Sequence, residues 1–151
     1  MMRTSVITLA AFLALVGAGT LRADLAKAKA ERNLGKRSRL ALENASAQFR
    51  AASQAYKTGG NWETTTAALD EVRESVDLAY AALKETGKKP RESGDYKNLE
   101  LKTRALLRSL KDFLQSVGVD ERDRVAPIAA FVEQVHDEVL ESIMEPAKGK
   151  R

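Results

Sequence analysis

The chain has 151 residues, with 25 Lys and Arg against 21 Asp and Glu, one His and no Cys. That length suits one ordinary domain. Without Cys there is no disulfide, thiolate zinc site, iron–sulfur cluster or cysteine nucleophile, and a single His excludes any site in this chain that needs two imidazoles.

Residues 1–23 have the pattern of an export signal. Arg3 supplies the positive start, and Thr4 to Thr20 is uncharged and apolar around Leu9 to Val16. Gly17, Ala18, Gly19, Thr20 and Ala23 are the small residues a signal peptidase needs; cleavage is expected after Ala23, with Ala18 as the alternative. The apolar core is shorter than the ~20 residues that span a bilayer, and no stop-transfer flank follows, although a retained anchor is the structural alternative. No Cys follows it, so lipidation at a lipobox is excluded. The style is bacterial, and the mature protein is expected to be periplasmic or secreted. Cleavage removes Arg3 and Arg22 and so lowers the net charge of +4. A field that gathers polyanions is then not expected, and nucleic acid is not an expected partner.

The mature chain reads as helices. The first is expected from about Leu25 to Lys57, where Leu42, Ala45, Phe49, Ala52 and Tyr56 repeat at spacings of three and four and share a face. Its start, residues 24–39, holds Lys27, Lys29, Arg32, Lys36, Arg37 and Arg39 with few apolar anchors. This segment is expected to project as a mobile basic arm that touches a partner or, weakly, an anionic surface. Gly59-Gly60 supplies the left-handed cap, and Asn61 the N-cap of the next helix.

The second helix is expected over Trp62 to Glu85, carried by Thr65, Leu69, Val72, Val76, Ala79 and Leu83 and closed by Gly87. Lys88 to Gly94 is polar and rich in breakers, hence a loop. The third helix follows from about Asp95 to Val117 on Leu99, Thr103, Leu106, Leu110 and Phe113, widened by Leu107 and Leu114. The fourth covers about Asp120 to Glu145 on Val125, Ile128, Val132, Val135, Val139 and Ile143, with Asp120 and Asp123 as candidate caps. Pro127 requires either a start near Asp123 or a kink, because an interior proline loses a hydrogen bond and clashes with the preceding turn at a cost of ~3 kcal/mol. Ala147 to Arg151 is a basic tail.

No segment alternates as a strand does. Short Gly-marked links make successive helices antiparallel neighbours. The expected fold is all-α: an antiparallel four-helix bundle of two helical hairpins over residues 40–146. Residues 24–39 and 87–112 are basic, while 40–86 and 113–151 are acidic. Neighbouring helices can therefore pair by charge, although surface pairs contribute only ~0–1 kcal/mol each.

Glu133 and His136 have the one spacing with chemistry attached. Three residues apart on a helix, they share a face and can grip one metal ion. With a single His the pattern is half a site, and the alternative is that His136 packs at the edge of the Val132, Val135, Val139 stripe. Haem ligation by His136 and Met144 fails because both lie on one helix and cannot bracket one iron. No Gly-x-Ser-x-Gly elbow, oxyanion loop or phosphate-binding glycine loop occurs. The carboxylate clusters Asp70/Glu71/Glu74 and Asp137/Glu138/Glu141 read as solvated helix surface. Asn44-Ala45-Ser46 matches a glycosylation sequon inside a helix. Tyr56 and Trp62 read either as an aromatic contact for a ligand or as a staple across the first turn. No catalytic residue and no cofactor are expected.

Ala55-Tyr56-Lys57-Thr58-Gly59-Gly60-Asn61-Trp62, followed by Ala67-Ala68-Leu69, resembles the turn of a tetratricopeptide repeat. That family places an aromatic before the turn, a Gly-Asp/Asn-aromatic run in it and small residues on the next helix. The resemblance covers residues 52–69 and implies a helical hairpin of the protein-binding type. No recurrence near the family's period of about 34 residues follows. The expected function is a non-enzymatic interaction or structural module of the bacterial envelope with a protein partner. The alternative is a periplasmic metal-binding bundle using Glu133 and His136.

Overall fold

Asn33 breaks the long first helix in two. Its backbone is extended (φ −73°, ψ 113°), and its side-chain oxygen accepts the Lys36 N–H at 2.9 Å, which starts a new helix. The Glu31 carboxylate accepts the Asn33 N–H at 3.0 Å and the Glu31 carbonyl accepts Arg37 Nε at 2.8 Å, so the break is tied on both sides. The computed structural model describes residues 24–59 and 61–146. The export signal at 1–23, Gly60 of the expected cap and the basic tail at 147–151 lie outside the described residues.

The expectation of four helices is therefore corrected to five among the described residues. They are α1 (24–30), α2 (Leu34–Lys57), α3 (Trp62–Glu85), α4 (Gly94–Ser116) and α5 (Val119–Met144), with a 3-10 turn at Pro90–Glu92. The physical reason is the competition at Arg32-Asn33: an Asn that caps a new turn satisfies an otherwise orphaned N–H, and this lets the chain double back. Helix α1 then lies across α2 and α3 rather than projecting. Leu25 and Ala28 are buried. Asp24 and Lys27 line a groove with Leu40 and Glu43 of α2, and Ala26 and Lys29 line another with Ala67 and Asp70 of α3.

The remaining boundaries follow local chemistry. Thr58 N–H bonds the Gln54 carbonyl at 3.0 Å to end α2, and Asn61 caps α3 by accepting the Thr64 N–H at 3.1 Å, as its residue type predicts. Gly87 follows α3 at φ +66°, a conformation that costs other residues steric strain. Ser93 caps α4. Neither Asp120 nor Asp123 caps α5. Gly118 holds that position, and the Glu121 carboxylate folds back to accept its N–H at 2.9 Å. Helix α5 runs through Pro127 from Val119, so the start near Asp123 is also corrected. Pro127 is exposed, as is Asp123, the residue whose carbonyl loses its helical donor.

Helix α2 packs most extensively on α3, and α4 on α5, giving two hairpins. Their facing stripes form one core of Leu42, Leu69, Val72, Leu83, Leu99, Leu110, Val125 and Val132 with their neighbours. Each such side chain contributes ~1.5–3 kcal/mol on burial. Edge-to-face aromatic contacts join the hairpins at one end, Phe49 on Phe113 at 5.9 Å and Tyr56 on Phe113 at 5.5 Å, and within the first hairpin Tyr56 meets Trp62 at 6.1 Å. Tyr56 and Trp62 thus staple the turn. Where α2 passes the start of α4, Gly35 allows the approach: a Cβ there would stand 2.6 Å from Asp95 Oδ2.

Candidate functional site

The basic residues at the chain's start do not form one surface. Lys29 pairs with Glu74 of α3, Lys36 with Glu31 at 3.0 Å, and Arg39 with Asp95 of α4 at 2.5 Å. Arg37 is half-buried against the Glu31 carbonyl. Lys27 and Arg32 are exposed. Lys29 and Arg39 therefore fasten α1 and α2 to the bundle, and Lys36 and Arg37 tie α2 to the link after α1.

Glu133 and His136 share a side of α5, as the spacing predicts, but meet different partners. Glu133 Oε1 accepts from Lys111 Nζ at 2.6 Å. His136 Nε2 lies 3.1 Å from Glu100 Oε1 and His136 Nδ1 lies 3.1 Å from Asp137 Oδ1. The two carboxylates approach opposite ring nitrogens, so they do not converge on one point. Among the described residues no group of three or more His, Asp or Glu side chains is arranged to hold a metal ion.

The carboxylate cluster of α3 is likewise engaged. Glu71 accepts from Asn44 Nδ2 at 3.0 Å, and the same amide donates to Ser75 Oγ at 2.8 Å. Asn44 is buried, which places the sequon's amide inside the α2–α3 seam. All three tyrosines hold their protons more tightly than a free phenol. Burial, then Glu138, pushes Tyr80 up to about 12. Tyr56 is raised first by its hydrogen bond to Glu121, at 3.0 Å, and Tyr96 by burial.

Sequence reasoning missed the outer face of the α4/α5 hairpin. The exposed large apolar side chains among the described residues are Leu101 at 57%, Val119 at 75% and Met144 at 71%, and every one belongs to this hairpin. At 3.6 residues per turn Leu101 lies about 160° from Leu99 and Thr103, on the solvent side of α4. Met144 and Val119 fall on the side of α5 that carries Asp137. The signal was available as apolar residues out of phase with the core stripe. Beside Met144, a shallow trough of about 520 Å³ is lined by Leu140 and Pro146 with Asp137, Glu141 and Glu145 at its rim.

No helix among the described residues is long and apolar enough to cross a membrane. No protein-family model, curated protein or solved structure matches the chain.

Proposed function

We propose that the chain is an exported, non-enzymatic helical module of the bacterial envelope that works by presenting the outer face of the α4/α5 hairpin to a protein partner. One observation carries the reading: Leu101 and Met144 are exposed toward one end of that hairpin, with Val119 at the far end of α5, while α1 covers the outer side of the other hairpin. Exposed apolar side chains gathered on one face mark interaction sites more often than scattered ones do. The export pattern of residues 1–23 and the resemblance of residues 52–69 to a tetratricopeptide turn support the compartment and the class in this reading.

Photo-crosslinking residues placed at 101 and 144 in the producing cell test the reading, with position 63 on α3 as the control. Protein adducts at 101 and 144 but not at 63 are expected. An equal yield at all three positions, or none, overturns it. Amino-terminal sequencing of the same material, expected to begin at Asp24, tests export.

A further inference from the structure

The outer face of the α4/α5 hairpin carries charge of opposite sign on its two helices. Lys111 reaches Glu133 and Glu100 reaches His136, which identifies the facing shoulders of the two helices. Helical phase then places Lys97, Arg104 and Arg108 with Leu101 along the shoulder of α4. On α5 the corresponding shoulder carries Arg122 near its start, and Asp137 and Glu141 with Leu140 and Met144 over its last two turns. The start of α4 thus offers Lys97 and an exposed leucine beside the acidic end of α5 with its exposed methionine, while Arg104 is held by Glu100.

We infer that this face binds a second copy of the same chain across a two-fold axis, α4 of each protomer lying on α5 of the other. This rests on the interaction reading above and names its partner. A two-fold interface must be self-complementary. Here rotation by 180° sets Lys97 of each copy by the acidic end of the other's α5 and brings Leu101 toward the Leu140–Met144 trough. Any other partner would need the same two charges on the same two adjacent ridges, and this chain already carries them. Two helices of this length offer a face about 35 Å long and about 20 Å wide, on the order of 700 Å² per copy. That approaches the roughly 800 Å² per partner of a standard interface and fits a reversible dimer. Charges at its rim make the association weaken with salt.

Sedimentation equilibrium on the chain isolated from the producing cell tests the inference. A monomer–dimer equilibrium is expected that weakens at least several-fold as salt rises from about 0.05 to about 0.5 M. Met144→Glu and Leu101→Glu, both at exposed positions, should each abolish it while the helical circular-dichroism signal is unchanged. A chain with Lys97→Glu and Arg108→Glu should be monomeric alone, as should one with Glu141→Lys and Glu145→Lys. Mixed in equal amounts, the two should form a heterodimer, because each then offers what the other lacks. A wild-type monomer at all concentrations overturns the self-association. So does a dimer indifferent to Met144→Glu, or a mixture that stays monomeric. Crosslinks at 101 and 144 to a different protein would leave the broader reading standing when this one fails.

Discussion

Glu100 and His136, on neighbouring helices, meet at 3.1 Å with both side chains nearly buried, at 8% and 12% exposure. The same Glu100 oxygen accepts two bonds from Arg104, Nε at 2.9 Å and a terminal nitrogen at 2.5 Å. An imidazole in this position belongs to a packing junction between α4 and α5. Both of its nitrogens face carboxylate oxygens, so a metal ion would have to displace one of them. Glu100→Ala leaves His136 and Arg104 without this acceptor and should cost about 1–3 kcal/mol in urea unfolding, with Glu100→Gln losing less. A negligible loss in Glu100→Ala would show that the junction is not holding the helices. Added Zn²⁺ should leave the melting transition in place, whereas a preformed site would raise it by mass action.

The tyrosines give the fold an alkaline limit. In the unfolded chain each phenol ionises near 10. In the folded chain Tyr80 holds its proton to about 12, and Tyr56 and Tyr96 are also raised. The unfolded state therefore releases protons that the folded state retains as pH rises above about 10. This contribution to stability is complete below pH 10 and disappears toward pH 12. Absorbance near 295 nm should show phenolate formation delayed in the native protein relative to the protein in denaturant. Coincident titration curves would contradict the burial of Tyr80 and Tyr96 and the bond from Tyr56 to Glu121.

Gly35 sets two effects of similar size against each other. Alanine inside a helix is favoured over glycine by about 1 kcal/mol. The added Cβ displaces the Asp95 carboxylate, which pairs with Arg39, and an exposed pair is worth only ~0–1 kcal/mol. Gly35→Ala should thus be close to neutral in the wild type but stabilising in an Asp95→Ala background, by at most about 1 kcal/mol because Gly35 lies in the first turn of α2. A double-mutant cycle read by urea unfolding separates the terms. Equal effects in both backgrounds would mean that Asp95 does not crowd this glycine.

Much of the fold was legible because core stripes and caps are local signals. Trp62–Glu85 emerged at its observed bounds from an unbroken apolar spacing between Asn61 and Gly87. The break at Asn33 was missed because Ala and Lys on either side favour helix, while the bonds that fix it, Asn33 N–H to the Glu31 carboxylate and Arg37 Nε to the Glu31 carbonyl, leave no periodic signal in the sequence. The fate of Glu133 and His136 was equally out of reach. Spacing along α5 placed them on one side, but only the approach of α4 supplies Lys111 and Glu100. Leu101 and Met144 were readable as out-of-phase apolar residues, yet their common face needs the pairing of α4 with α5.

The packing of α1 is the sharpest departure from the projecting arm, and Ala28 tests it. On a solvated arm, Ala28→Glu would change stability by a few tenths of a kcal/mol, the cost of helix propensity alone. In the structure Ala28 is fully buried within the core cluster, so a carboxylate there must either lose water without a partner or push α1 off the bundle. Either outcome should cost about 2 kcal/mol or more. Hydrogen exchange distinguishes them: detachment of α1 would speed exchange at residues 26–30 and leave α4 and α5 protected. A variant as stable as the wild type, with unchanged exchange, would return residues 24–30 to solvent. Asn33→Ala should lose about 1 kcal/mol through the cap of α2 without this exchange signature.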